Sequence, residues 1–363
     1  MIILKGDLNE PRLGLKADEI SHLGANVNIY IHLACSINLR RPLVEIAKSI
    51  IEPTLELAEI ALASTSLERF VYISTAYANS HLHHKGEVDT KVTESIYPLR
   101  SGGGDSTDLE LKDLNTSGTT PEYGINNFPF PYCYAKHLTE RLLLDRFREK
   151  QAGDSLLIVR PSIIGPALRE PFPYYEIRRS APATNFLAAV VASLSLRMAF
   201  SSRLSDPMRE STLDEVPVDL VVNRILMHTT HRSHGIVHAV AGATGRHTFG
   251  TLWQKAMTMR RLPWHPRPVW LDVDWHSPLL HNIGSAWVIV GTSFLFEDER
   301  VHEVWDRMGE EERAVFPLFM RDAEEFEQVS MRRGRIRNLF EEWLSRKGFP
   351  PVLVNFLISR PTL

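Results

Sequence analysis

Phe128-Pro-Phe-Pro-Tyr132-Cys-Tyr-Ala-Lys136-His-Leu-Thr-Glu140 decides how this chain is read. Pro131 suits the first position of a helix, where the amide hydrogen it lacks would have no partner. From Tyr132 onward, Ala135, Leu138, Leu142 and Leu143 form an apolar stripe of helical period, which predicts a helix. Tyr132 and Lys136 stand four apart and share one face, about a turn from each other. A free phenol titrates near ~10, and a neighbouring ammonium favours the phenolate. A phenol tuned in this way can give or take a proton at a carbonyl oxygen. Alone the pair is a weak signal, because a surface lysine one turn from a packed tyrosine is commoner. Tyr134, two residues from Lys136, points to another face.

The flanks sharpen the reading. Upstream, Phe70-Val-Tyr-Ile-Ser74-Thr75-Ala-Tyr-Ala-Asn79 is an apolar strand ending in hydroxyls. Downstream, Leu156-Leu-Ile-Val-Arg160-Pro161-Ser-Ile-Ile-Gly165 is a second apolar strand, ending in a Pro/Gly loop. This order, with Gly6-Asp7-Leu8, His32-Leu-Ala34, Glu170-Pro-Phe-Pro173 and Val216-Pro-Val-Asp219, resembles the extended short-chain dehydrogenase/reductase superfamily. Within it the chain is most similar to the fatty acyl-CoA reductases of the male sterility family, over nearly its whole length. The resemblance implies an α/β fold, a Rossmann-like doubly wound parallel sheet that is N-terminally incomplete. It also implies a substrate lobe within residues 1–270 and a small, mostly helical C-terminal domain over 271–363.

The same resemblance implies a reaction: NADPH-dependent reduction of a long-chain acyl-CoA, with loss of CoA, to the aldehyde or on to the alcohol. Tyr132 would protonate the carbonyl oxygen, Lys136 would lower the phenol pKa and hold the ribose, and Thr75 or Ser74 would polarise the carbonyl. Asp7 and Leu8 would meet the adenine, His32 and Ala34 the ribose and pyrophosphate, and Pro161 and Ile163 the nicotinamide carboxamide. A sugar-nucleotide epimerase or a hydroxysteroid dehydrogenase would share the triad, and a cofactor-free relative is the non-enzyme alternative. The chain departs from the pattern at Ile50-Ile-Glu-Pro53-Thr54, where Ile50 replaces the asparagine that commonly braces the lysine. It also contains no Gly-x-x-Gly-x-x-Gly, the turn that normally seats a pyrophosphate on a helix N-terminus. The register then begins at the third strand and leaves the strand near 27–33 with an open edge. Truncation and degeneration both account for this, and the retained Tyr132, Lys136 and hydroxyl pair favour truncation.

Composition narrows the alternatives. A formal charge of −3 over 363 residues lacks the basic excess of a nucleic-acid binder. Cys35 and Cys133 cannot build a disulfide scaffold, which favours a reducing compartment, and neither has metal-ligand spacing. The N-terminus is too soon polar for a signal peptide, and the apolar run 283–296 falls short of the ~20 residues of a membrane span. The expected location is cytoplasmic, with peripheral attachment to the endoplasmic reticulum or peroxisome as an added option. Arg332-Arg-Gly-Arg-Ile-Arg337 beside Leu339, Phe340 and Trp343 reads first as a packing helix with a solvated basic face, and second as an anionic-membrane contact.

Along the chain, strands are expected at 1–5, 27–34, 69–73 and 235–240, with helices at 16–23, 43–63 and 251–259. Pro53 should break or bend the second helix. Residues 80–128 read as the least regular part, with His81-Leu-His-His84 in a solvated loop and no helix opening after Arg100-Ser-Gly-Gly-Gly-Asp. The run 185–200 reads as a core helix in preference to an acyl-chain wall. Asp219 should cap or brace the substrate lobe.

Overall fold

The computed structural model describes residues 2–39, 41–100, 106–320 and 329–359, without the side chains of His84, Thr244, Val329, Ser330 and Met331. Four parallel strands form its main sheet: β1 (Ile29–His32), β2 (Arg69–Ile73), β3 (Leu156–Pro161) and β4 (Gly235–Ala239), side by side in that order. Parallel neighbours need crossovers, and helices supply them. Among the helices packed on the sheet are α1 (Leu43–Leu62), α2 (Pro131–Glu149) and α3 (Val218–Thr230).

Alternation along the strands explains why both faces are covered. Phe70, Tyr72, Leu156 and Ile158 point to one side, where Ala58 and Ala61 of α1 and Leu143 and Phe147 of α2 close over them. Val71, Leu157, Val159 and Val237 point to the other, against Leu220, Val221 and Ile225 of α3. A strand buried on both faces reads as a continuous apolar run, which is what Leu156–Val159 shows. This is the doubly wound parallel arrangement expected from the sequence.

β1 lies at the sheet's margin with its outer side open among the described residues. Ile29 and Ile31 are each 40% exposed and Leu33 is 58% exposed. The expected strand at 1–5 does not form: residues 2–7 have no regular structure, and Ile2 and Ile3 stay in solvent. Extension yields little without a neighbour to pair with. Instead the segment folds into a turn, Asp7 donating its amide to the Leu13 carbonyl and Leu13 donating to Glu56 of α1.

Several other expectations change. α1 runs through Pro53 without interruption, its proline buried in the packed face. A helix does open after the glycines, at Thr107–Ser117, with the Ser106 hydroxyl capping the Leu109 amide; Gly102–Gly104 themselves lie outside the described residues. His81 and His83 are buried rather than solvated, His81 packing on Phe128 and His83 bonding Thr90. The apolar run 185–200 splits into a helix, Pro182–Ala192, and a strand, Arg197–Ser201.

The rest of the chain is stitched together by short, distant pairings. Arg197–Ser201 pairs with Arg267–Leu271, Thr90–Val92 with Phe294–Phe296, and Ile163–Gly165 with Thr212–Pro217. The helix Val329–Arg346 buries Ile336, Phe340 and Leu344 in the same cluster as Phe186, Val190 and Trp253. Three of its arginines turn to partners: Arg332 pairs with Glu215, Arg335 donates to the Tyr174 carbonyl, and Arg337 meets Asn355 and Glu341. They form a set of tethers where a free basic face was expected.

Candidate active site

Parallel α/β sheets offer ligands a crevice beyond the carboxyl ends of their strands, and several of the sequence-predicted residues lie at those ends. Ser74 follows β2 directly and stays in register with β3 by donating its amide to the Val159 carbonyl, 2.8 Å. Thr75 is next, its hydroxyl 3.4 Å from the Pro161 carbonyl at the end of β3. α2 begins at Pro131, and its first turns bring Lys136 to the carbonyl at the end of β2.

Lys136 is almost wholly buried, and its location is defined by named partners. Its ammonium donates to the Ile73 carbonyl at 2.8 Å and lies 4.6 Å from the centre of the Tyr72 ring. It is 5.9 Å from the centre of the Tyr132 ring. Burial pulls the ammonium pKa down, opposed by Cys35 and then Glu140.

Tyr132 is half-buried, packed against the cluster that includes Leu43, Ile46 and Ile50. Burial pushes its phenol well above the ordinary value, with smaller contributions in the same direction from Cys35 and Cys133. The expected lowering by Lys136 is therefore overturned by desolvation, since the ammonium is spent on the Ile73 carbonyl and the Tyr72 ring. At neutral pH the phenol keeps its proton, the state a general acid needs.

Ser74 carries the clearest mark of an unfilled role. Its Oγ is buried and has no hydrogen-bond partner, whereas buried hydroxyls nearly always have one. His32, at the end of β1, stacks on Tyr72 at 6.0 Å and meets the Thr54 hydroxyl at 3.0 Å. Thr54 gives its own proton to the Ile50 carbonyl, so His32 Nε2 is the donor and its tautomer is fixed. Burial, then the Lys136 charge, lowers the His32 pKa to about 4.

The remaining expected residues divide. Pro161 is buried at the tip of β3, Ile163 is half-buried in the next strand, and Ala34 is exposed just past β1. Asp7 is exposed and accepts from the Asn9 backbone and side chain, a local turn, with Leu8 beside it. Asp219 braces a loop: its carboxylate accepts the amides of Leu168, Arg169 and Glu170 at 2.9, 2.8 and 3.1 Å. Tyr134 faces elsewhere, bonded to Glu110 and Thr120. Three contributors escaped the sequence reading: Tyr72, Thr54 and Cys35. Tyr72 alone had a signal, since it lies two residues before Ser74 and so shares its side of the strand.

The profile of the family described as male sterility protein matches residues 1–225. Fatty acyl-CoA reductase 1 of Gallus gallus is 29% identical over 228 residues, which cover 62% of this chain and 40% of that protein. Fatty acyl-CoA reductase 2 of Mus musculus is 30% identical over 223 residues, 61% of this chain and 39% of that one. The aligned part thus spans about 40% of the length of these curated relatives. Among solved structures, the terminal R domain from the myxalamid PKS-NRPS biosynthetic pathway superposes with a TM-score of 0.56 at 15% identity, covering 95% of this chain and 75% of that one. MoeE5 in complex with UDP-glucose and NAD gives 0.51 at 15% identity, over 93% and 86% of the two chains. At that identity the likeness is one of fold.

Proposed function

The chain belongs to the male sterility protein family, and on that footing we propose that it is a nicotinamide-dependent reductase of long-chain acyl-CoA thioesters. NADPH, when bound, would supply the hydride to the thioester carbonyl carbon. Tyr132, Lys136, Pro161 and Ile163 would hold its nicotinamide end, His32 and Ala34 its ribose and pyrophosphate, and Asp7 and Leu8 its adenine. Ser74 and Thr75 would hydrogen-bond the carbonyl oxygen and polarise it. Tyr132 would deliver a proton to that oxygen as negative charge builds on it, and Lys136 would offset the charge left on the phenolate. The thiol of CoA then departs, leaving an aldehyde, and a second round at the same residues would give the alcohol.

The observation that carries this reading is the buried, partnerless hydroxyl of Ser74 next to Lys136 and the protonated Tyr132. Tyr132→Phe removes the proton donor and little else. With NADPH and palmitoyl-CoA, its turnover should fall at least ~100-fold while cofactor affinity changes less than ~2-fold. Retained turnover would take the general-acid role away from Tyr132. A second reading, a non-catalytic relative, draws on Ile50, which is buried in the core where the family commonly has its bracing asparagine. Saturable NADPH binding would exclude it.

A further inference from the structure

In front of the first turn of α2 lies a cleft of about 380 Å³, lined among others by Leu39, Tyr123, Phe130, Pro131, Trp275 and His276. Small-molecule sites commonly run ~300–1,000 Å³ and are mostly apolar with a few polar groups. This one qualifies on size and chemistry. None of its lining residues is an Asp, Glu, Lys or Arg. His276 is committed elsewhere, its Nε2 donating to the Phe128 carbonyl at 3.1 Å. Such a wall offers no positive charge to the phosphates of a CoA and suits a hydrocarbon.

Position gives the second argument. Pro131 lines the cleft and Tyr132 follows it in the chain, so the wall of the cleft adjoins the proposed proton donor along α2. Rigidity gives the third. Tyr123 lies against both Phe128 (6.4 Å between ring centres) and Tyr134 (5.3 Å), which fixes that wall before anything binds. The apolar run that sequence alone made an alternative acyl wall is not available, since Phe186, Leu187, Val190 and Val191 are consumed in the core.

We propose that this cleft receives the acyl chain of the thioester, with the nucleotide part of CoA held outside it. The proposal rests on the acyl-CoA reading and adds where the chain goes. The test is photo-crosslinking with a palmitoyl-CoA analogue bearing a diazirine in its chain, followed by peptide mapping, with unlabelled palmitoyl-CoA as competitor. Competable adducts should fall within residues 123–131 and 275–285. Ser285, which also lines the cleft, supplies the variant. Ser285→Trp should reduce long-chain labelling by about tenfold. Competable adducts elsewhere would overturn this site and leave the acyl-CoA reading standing. No competable labelling at all would sink both. The wild-type map decides the question even if the variant fails to fold.

Discussion

Desolvation dominates three ionisable groups of the site. Tyr132 is pushed up, Lys136 down and His32 down to about 4, each mainly by burial. For His32 the sign of the consequence is definite. An unfolded histidine takes its proton near ~6.5. Between that value and 4 the unfolded chain binds the proton and the native chain does not, so acid favours unfolding. The stability tied to His32 is complete above pH 6.5 and falls by about 3 kcal/mol as pH drops to 4. In urea titrations across that window, His32→Gln should flatten the decline by a comparable amount. A slope equal to the parent's would show that the imidazole is free to protonate in the native state. None of this was readable before the fold was known. The Tyr132–Lys136 spacing was legible because a helix makes it local, but the ring under Lys136 and the thiol beside it arrive from other elements.

Between elements, the strongest single link to the site is the ion pair joining β3 to α2. Arg160 holds Glu140 in two hydrogen bonds, 2.9 and 2.6 Å, with both side chains fully buried, and also reaches the Ser95 carbonyl. Removing one member strands the other without solvent. Arg160→Met should therefore cost ~3–5 kcal/mol in urea unfolding, and adding Glu140→Leu should restore most of it. If the double variant were no better than the single, the loss would lie in Arg160's own contact with Ser95. Strand 69–73, strand 235–239 and the helix at 43–62 were legible because their apolar patterns are periodic or sharply bounded. The run 185–200 was misread for the opposite reason: uniformly apolar residues carry no period, and the break at Ser193–Leu196 is fixed by pairing with Arg267–Leu271. The helix at 107–117 was hidden by its glycine-rich prelude and by an apolar face reduced to little more than Leu114.

For the whole molecule, the open margin of the sheet has a measurable cost. Ile29 and Ile31 of β1, with Leu33 just past it, face solvent beside an edge that no other strand among the described residues pairs, a template for association between copies. Ile31→Lys should lower light scattering on concentration and leave the thermal midpoint within ~2 °C, because residue 31 lies on the exposed side. Unchanged scattering would mean another surface drives association. The pairing of Thr90–Val92 with Phe294–Phe296 has a consequence of a different sort, in time. The two partners are separated by about two hundred residues of synthesis, which at ~5–20 residues per second is ~10–40 s. Throughout that interval on the ribosome the early strand has emerged and its mate does not yet exist. The main sheet can zip up after residue 239, but this seam must wait for nearly sixty residues more. A nascent chain stalled before position 294 would leave the tunnel with its main sheet assembled and that seam still gaping, a form for holding chaperones to recognise.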